Sequence, residues 1–219
     1  MSRFGLCRFP IATRGCPIPA PNEVRLAGHE TNWLSRVIVF SIVAAAVVWG
    51  ARGAKAQTIV KPKPAEQPGF EVIGIEVRTN NFRESSGDGA IPKQWQRLFA
   101  ENVLHRVPDR IDQSIVVVYT NYASDWNGDY TYILGARVKP GTKPPEGMVS
   151  KSVPGGKYVE FMSARGPSPQ VVPDLWKQVW TYFQLPGNPI RAYGADYELY
   201  DDMADPNQVQ VQLFVGVKL

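Results

Sequence analysis

Apolar residues fall on alternate positions in several stretches of this chain and on every third or fourth position in two others, and the two periods recur in a fixed order. Over Glu71–Thr79, Ile73, Ile75 and Val77 alternate with Gly74, Glu76 and Arg78, the period of a strand with one buried face. From Ile91 to Val107 the period lengthens, with Ile91, Trp95, Leu98, Phe99 and Val103 on one stripe and Pro92 where a first helical turn accepts it, so a helix is predicted. Ser114–Tyr122, centred on I-V-V-V-Y, and Asp129–Lys139 predict two more strands, joined through a turn at Asn127-Gly128.

Lys139 to Gly156 is rich in Pro and Gly and reads as a long connection, after which the same order returns. A strand is predicted at Gly156–Ser163, a helix at Val171–Phe183, and strands at Ala195–Asp202 and Gln208–Lys218. The helix carries Val172, Leu175, Trp176, Val179, Trp180 and Phe183 on one stripe; the last strand alternates Val209, Val211, Leu213, Val215 and Val217 with its other face. The recurrence extends to residues: I-P-K-Q-W-Q-R-L-F at 91–99 matches V-P-D-L-W-K-Q-V-W at 172–180, and Tyr119 and Tyr122 match Tyr197 and Tyr200, with Glu198 at the place of Thr120. The expected fold is α+β, a duplicated β-α-β-β module with pseudo-two-fold symmetry, in which an antiparallel sheet and two helices enclose a central cleft. It spans 70–219, with halves 70–139 and 156–219.

The chain's start differs in kind. Val37–Trp49 is a run of 13 residues, apolar but for Ser41, shorter than the roughly 20 that a membrane span needs. With Arg36 before it and Ala54-Lys55-Ala56 after it, residues 1–56 resemble a secretory signal peptide cut after Ala56, although about 35 residues precede the run, a longer lead than such peptides usually have. The product would be periplasmic or secreted, and held to a membrane only by an uncut leader. Residues 57–69 hold three prolines and no apolar period, and read as a tether. Seven of the 24 Lys and Arg and two of the 20 Asp and Glu lie in residues 1–56, so the rest of the chain has 17 basic and 18 acidic groups. That balance leaves no basic stripe for phosphates, and nucleic acid is not expected as a partner. Cys7 and Cys16 both precede the apolar run, which excludes thiol or disulfide chemistry from a cut product.

Candidate chemistry centres on Y-G-A-D-Y-E-L-Y-D-D at 193–202. In a strand, Glu198 and Tyr200 share one face while Tyr197 and Leu199 take the other, so a carboxylate sits beside a ring. An acid among aromatics suits a cationic or polar organic guest, since a dehydrated carboxylate is costly until something pairs with it. Tyr119, Tyr200, Trp95, Trp176 and Phe161 are the rings expected to line or support the cleft; ordinary core packing is the alternative, above all for Trp95 and Trp176 on their apolar stripes. A hydrolase would use Glu198 as general base and Tyr119 as proton donor, but no G-x-S-x-G or H-E-x-x-H motif is present, and His105, near a helix end, is explained by exposure. A third reading is an envelope interaction protein that kept the fold without the pocket. Asp125, Asn127 and Asp129 have the spacing of calcium ligands, but Tyr130 stands where that loop needs glycine and Ala136 where it needs glutamate. No metal or cofactor is expected.

Five stretches together resemble the GyrI-like small-molecule-binding family, the effector-binding domain of AraC-type and MerR-type transcription activators. They are I-E-V-R-T-N-N-F at 75–82, I-P-K-Q-W-Q-R-L-F at 91–99, V-Y-T-N-Y-A-S-D-W-N-G-D-Y-T-Y-I-L-G at 118–135, G-K-Y-V-E-F at 156–161 and Y-E-L-Y at 197–200. The resemblance implies a groove between two β-α-β-β halves and a central glutamate, here Glu198, that meets cationic or aromatic ligands. The family includes drug sensors fused to DNA-binding helices, stand-alone proteins that sequester toxic molecules, and some hydrolases. This chain departs from the sensors in its leader, and no helix-turn-helix precedes the domain in this sequence.

Overall fold

The computed structural model describes residues 61–201, 205 and 207–218; the leader and the Ala56 junction lie outside them. Eight strands are present among these residues: β1 Lys63–Gln67, β2 Phe70–Thr79, β3 Ile115–Thr120, β4 Tyr130–Val138, β5 Val149–Val153, β6 Gly156–Met162, β7 Ala195–Tyr200 and β8 Gln212–Gly216. The helices are α1 Asn81–Ser85, α2 Ala90–Ala100, α3 Val103–Arg106 and α4 Ser168–Gln184. The strands form one sheet in the order β1-β6-β8-β7-β3-β4-β2-β5, with every pairing antiparallel. Outward from the central β7–β3 pair it reads β7-β8-β6-β1 on one side and β3-β4-β2-β5 on the other. The duplication read from the sequence is thus a pseudo-two-fold axis between β3 and β7.

Two strands were not expected. β1 lies inside the segment read as a tether, and β5 lies in the Pro- and Gly-rich connection. Both are short edge strands, where a proline such as Pro64 is tolerated and no apolar alternation is required. β1 pairs not with β2 but with β6 of the other half, from Lys63 opposite Glu160 to Gln67 opposite Gly156. β5 reciprocates on β2, with Phe70 opposite Val153 and Gly74 opposite Val149. Pro68-Gly69 and Pro154-Gly155 link these arms to their own halves, and the linkers cross in contact. A β-carbon on Gly69 would lie 2.9 Å from the Gly155 amide nitrogen, and one on Gly155 would lie 2.7 Å from the Gly69 nitrogen. Both positions therefore require glycine.

The helix expected over 91–107 breaks in two at Asn102, whose left-handed backbone (φ 49°) ends α2 and opens α3. Its stripe is also rotated. Gln94 is buried because its side chain donates to the β2 carbonyl of Glu76 at 2.8 Å, while Phe99 is 60% exposed. In the second half, α4 starts at Ser168, so Pro173 lies inside the helix rather than in its first turn. Val171, Leu175 and Val179 carry the buried face of α4.

Apolar side chains are buried on both faces of the sheet. On the helix side, Ile73, Ile75, Val117, Leu134, Leu213 and Val215 pack with Leu98, Leu175 and Val179. On the other, Val72, Val116, Val118, Ile133, Tyr197 and Phe214 form a second cluster, with Tyr197 and Phe214 stacked at 4.8 Å. All six β3 positions are buried, which is why its sequence is a continuous apolar run rather than an alternating one. Burial of each such side chain stabilises by about 1.5–3 kcal/mol. Glu198 and Tyr200 face the helices, and Tyr197 and Leu199 face away, as strand alternation predicts. The residue match of Tyr119 with Tyr197 does not survive: the two rings lie on opposite faces, and Glu198 stands across from Val117 while Thr120 faces Ala195.

Candidate functional site

Glu198 occupies the middle of a central strand and is 1% exposed. Its Oε1 accepts from the Tyr119 hydroxyl at 2.9 Å and from Trp176 Nε1 at 2.7 Å; Oε2 accepts from the Tyr200 hydroxyl at 2.8 Å. Tyr119 comes from β3, the neighbouring strand; Tyr200 lies two positions along the same face of β7; Trp176 reaches down from α4. No ion pair among the described residues includes Glu198. Burial raises its pKa above the usual carboxylate value, against the opposing pull of the bonds from Trp176, Tyr200 and Tyr119. Burial first, and then the charge of Glu198, hold the Tyr119 and Tyr200 phenols well above their ordinary pKa, so both remain donors.

Above this carboxylate lies a recess of about 250 Å³. Its walls come from the matching segments of the two helices, Ile91 and Pro92 on α2 and Val172 and Pro173 on α4, so it sits where the two halves meet. Tyr119 and Trp176 form its floor, with ring centroids 4.8 Å apart, and Tyr130 lies beside Tyr119 at 5.5 Å. Trp126, on the β3–β4 hairpin loop, faces Trp180 of α4 at 6.3 Å across the rim. Arg78 fixes that loop by donating to the carbonyls of Asn121 at 2.5 Å and Asp129 at 3.0 Å, and Asn81 donates to the Trp126 carbonyl at 2.7 Å. Within the loop Asp125 accepts from the Asn127 amide at 2.9 Å, a turn contact. Glu84 also lines the recess, where its carboxylate caps α2 by accepting from the amides of Ala90 at 2.9 Å and Ile91 at 3.1 Å.

Arg191 forms the opposite wall, between this recess and a second cavity of about 400 Å³ that also shares Trp126 and Trp180. It is 6% exposed. Its Nη2 donates to Asp196 Oδ2 at 2.7 Å and to the Tyr122 hydroxyl at 2.9 Å, while that hydroxyl donates to Asp196 Oδ2 at 2.7 Å. The guanidinium carbon lies 4.5 Å from the Tyr193 ring centroid, 5.3 Å from that of Tyr122 and 5.4 Å from that of Trp176, so three rings cage it. Burial works against its charge, but Asp196 and Tyr122 outweigh burial and its pKa stands above the ordinary arginine value. Tyr193 holds its ring there from a left-handed backbone (φ 54°), a conformation that costs a bulky residue about 1–3 kcal/mol.

The structure distributes five of the six residues expected around a cleft over three depths. Tyr119 and Trp176 line the recess; Glu198 and Tyr200 lie directly behind them in one hydrogen-bonded group; Trp95 stands a layer further back, edge-on to Tyr200 at 5.1 Å. Phe161 is elsewhere. It is 1% exposed in the core of the second half, against Tyr182 at 5.4 Å and Phe183 at 6.2 Å. His105 is exposed on α3. Sequence reasoning did not single out Arg191, Trp126, Tyr130 or Glu84 for the site. For Arg191 no local signal exists, because arginine defaults to the surface and its partners Asp196 and Tyr122 come from different strands' surroundings.

A model of the Cass2 family, the integron-associated effector binding proteins, matches residues 65–217. YobU of Bacillus subtilis is 29% identical over 147 residues, covering 66% of this chain and 90% of that protein. The transcriptional regulator BrlR of Pseudomonas aeruginosa is 30% identical over 156 residues, covering 69% of this chain but only 53% of BrlR, so the chain spans about half of that relative's length. Among solved structures, an integron cassette protein of Vibrio cholerae is 33% identical with a TM-score of 0.58, covering 73% of this chain and 97% of its own. SAV2435, solved bound to tetraphenylphosphonium, shares the fold with a TM-score of 0.60 at 17% identity, covering 73% of this chain and 94% of its own.

Proposed function

This chain belongs to the Cass2 family of integron-associated effector binding proteins, within the GyrI-like fold, and from that premise we propose that its recess binds an aromatic organic cation with Glu198 as counter-charge. One observation carries the proposal: a buried carboxylate is met by three neutral donors and, among the described residues, by no cation. The positive charge that would offset its dehydration is left for a guest to bring. The guest meets rings rather than the carboxylate itself, since Tyr119 and Trp176 line the recess and Glu198 lies beneath them. Donation of their O–H and N–H to Glu198 draws the carboxylate's charge into both rings and strengthens the cation-attracting faces they turn to the recess. The bound tetraphenylphosphonium of SAV2435, an organic cation, supports the same ligand class.

The test is titration of the protein with tetraphenylphosphonium, followed by quenching of tryptophan fluorescence. Glu198→Gln is expected to weaken binding at least about tenfold, the factor that 1.4 kcal/mol sets. Equal affinity in both proteins would remove Glu198 from the role, and binding by neither would favour an envelope protein without a ligand. A hydrolase using Glu198 as base has less behind it, because both carboxylate oxygens already accept bonds and neither belongs to the recess surface. The proposal also includes export, carried by the apolar run 37–49 and the Ala54-Lys55-Ala56 exit, so that the domain would capture its guest outside the cytoplasm.

A further inference from the structure

Arg191 is over-provided with donors for the partners it has. Nη2 serves Asp196 and Tyr122, but Nε is buried without an acceptor and Nη1 makes no hydrogen bond among the described residues. Arg110 and Arg137 also bury an unpartnered Nε, but neither lines the recess. Arg191 does, from a side chain only 5% exposed, and its orientation is fixed by three rings and a carboxylate. Nε is enclosed beyond the reach of a guest, whereas Nη1 is not, and a ligand oxygen would give Nη1 the acceptor it lacks.

We infer that the recess selects aromatic cations that also carry a neutral oxygen acceptor, a ring carbonyl or carboxamide, and that the free Nη1 of Arg191, which unlike Nε is not enclosed, holds that oxygen. This rests on the cation-binding reading above and specifies its ligand class. A neutral acceptor fits better than an anion for an electrostatic reason. Asp196 already cancels the charge of Arg191 at 2.7 Å, Glu198 stands behind Trp176 and Glu84 lines the recess, so a ligand carboxylate would meet three carboxylates and one guanidinium already paired. A carbonyl takes the hydrogen bond without adding that repulsion. The two features of such a ligand then meet separate walls: its cationic ring lies over Tyr119 and Trp176, and its oxygen turns toward Arg191.

Two probes that differ by one carboxamide group test this, 9-aminoacridine and 9-aminoacridine-4-carboxamide, titrated against the full chain by fluorescence. The protein is expected to bind the carboxamide about tenfold more tightly, the effect of one hydrogen bond to a charged donor. Arg191→Lys, which keeps the charge for Asp196, is expected to abolish that preference, read as the ratio of the two probes' affinities within the variant so that any change common to both cancels. Equal affinity of the native protein for the two probes overturns the inference without any variant and leaves the cation site standing. A preference that persists in Arg191→Lys overturns the assignment to Arg191. Binding of neither probe overturns the cation reading and this inference with it.

Discussion

The indole Nε1 of Trp176 lies 2.7 Å from Oε1 of Glu198, joining a helix of the recess wall to the charge buried in the sheet. Trp176→Phe keeps a ring in the floor and deletes that donor. The carboxylate would then be held by Tyr119 and Tyr200 alone, and the variant is expected to lose about 1–3 kcal/mol of stability. Urea unfolding measures the loss, and a tetraphenylphosphonium titration is expected to show weaker binding. Unchanged stability and affinity would mean the bond is incidental.

The pH dependence of stability follows from the raised pKa of Glu198. Between the ordinary glutamate pKa and the raised one, the folded protein binds more protons than the unfolded chain, so its stability falls as pH rises through that window. Glutamine does not titrate, and its amide can accept from Tyr119 and Trp176 while donating to Tyr200. Without ligand, the melting temperature of Glu198→Gln is therefore expected to gain on that of the native protein as pH rises through that window. Added tetraphenylphosphonium is expected to raise the native melting temperature most at the upper end. A difference between the two proteins that is flat in pH would contradict this.

Asp196→Asn leaves Arg191 buried without its counter-charge. Removal of one partner from such a pair costs about 3–5 kcal/mol. Chemical denaturation at low and high salt is the check: because the pair is enclosed, the loss is expected to change little with ionic strength. A surface pair such as Lys177–Asp174 is expected to contribute under about 1 kcal/mol and to weaken with salt.

Gly69→Ala and Gly155→Ala each place a methyl group against the other linker's backbone. Each is expected to destabilise by about 1–3 kcal/mol, the usual cost of forcing extra volume into a packed contact. The double variant is expected to cost less than the sum, since the first substitution already spreads the crossing. Additive losses would show that the two linkers do not sense one another.

Export has a direct readout. Expression of the full chain in a Gram-negative host followed by fractionation is expected to yield a periplasmic protein whose amino terminus, read by mass spectrometry, is Gln57. An intact leader in the cytoplasmic fraction would remove export from the proposal.

What the sequence revealed and what it concealed divide along one physical line. Strand and helix periods, the doubled β-α-β-β order and the buried face of Glu198 and Tyr200 are local patterns, and all are present in the structure. The meeting of Pro92 and Pro173 at one recess was legible through the repeat. Hidden were features that depend on which distant segments touch. β1 and β5 have no apolar alternation because they pair only at edges, and Gln94 displaced Phe99 from the helix stripe because a β2 carbonyl lay within its reach. Phe161 looked like a cleft ring by type alone, yet its strand is the third out from the axis, where rings from α4 enclose it. Arg191 was silent, since only the fold brings Tyr122, Tyr193 and Asp196 around it.

The traded arms β1 and β5 have a mechanical consequence. The molecule has the topology of a homodimer whose subunits clasp each other's rims and were later fused end to end through residues 139–149. A protease nick in that splice would leave two pieces still knitted along three seams, β1 to β6, β7 to β3 and β5 to β2, so they should remain associated. Removing residues before Phe70 would do the reverse: it would spare the covalent chain of both repeats and strip the rim of the far one, leaving β6 as a bare template for another molecule's strand.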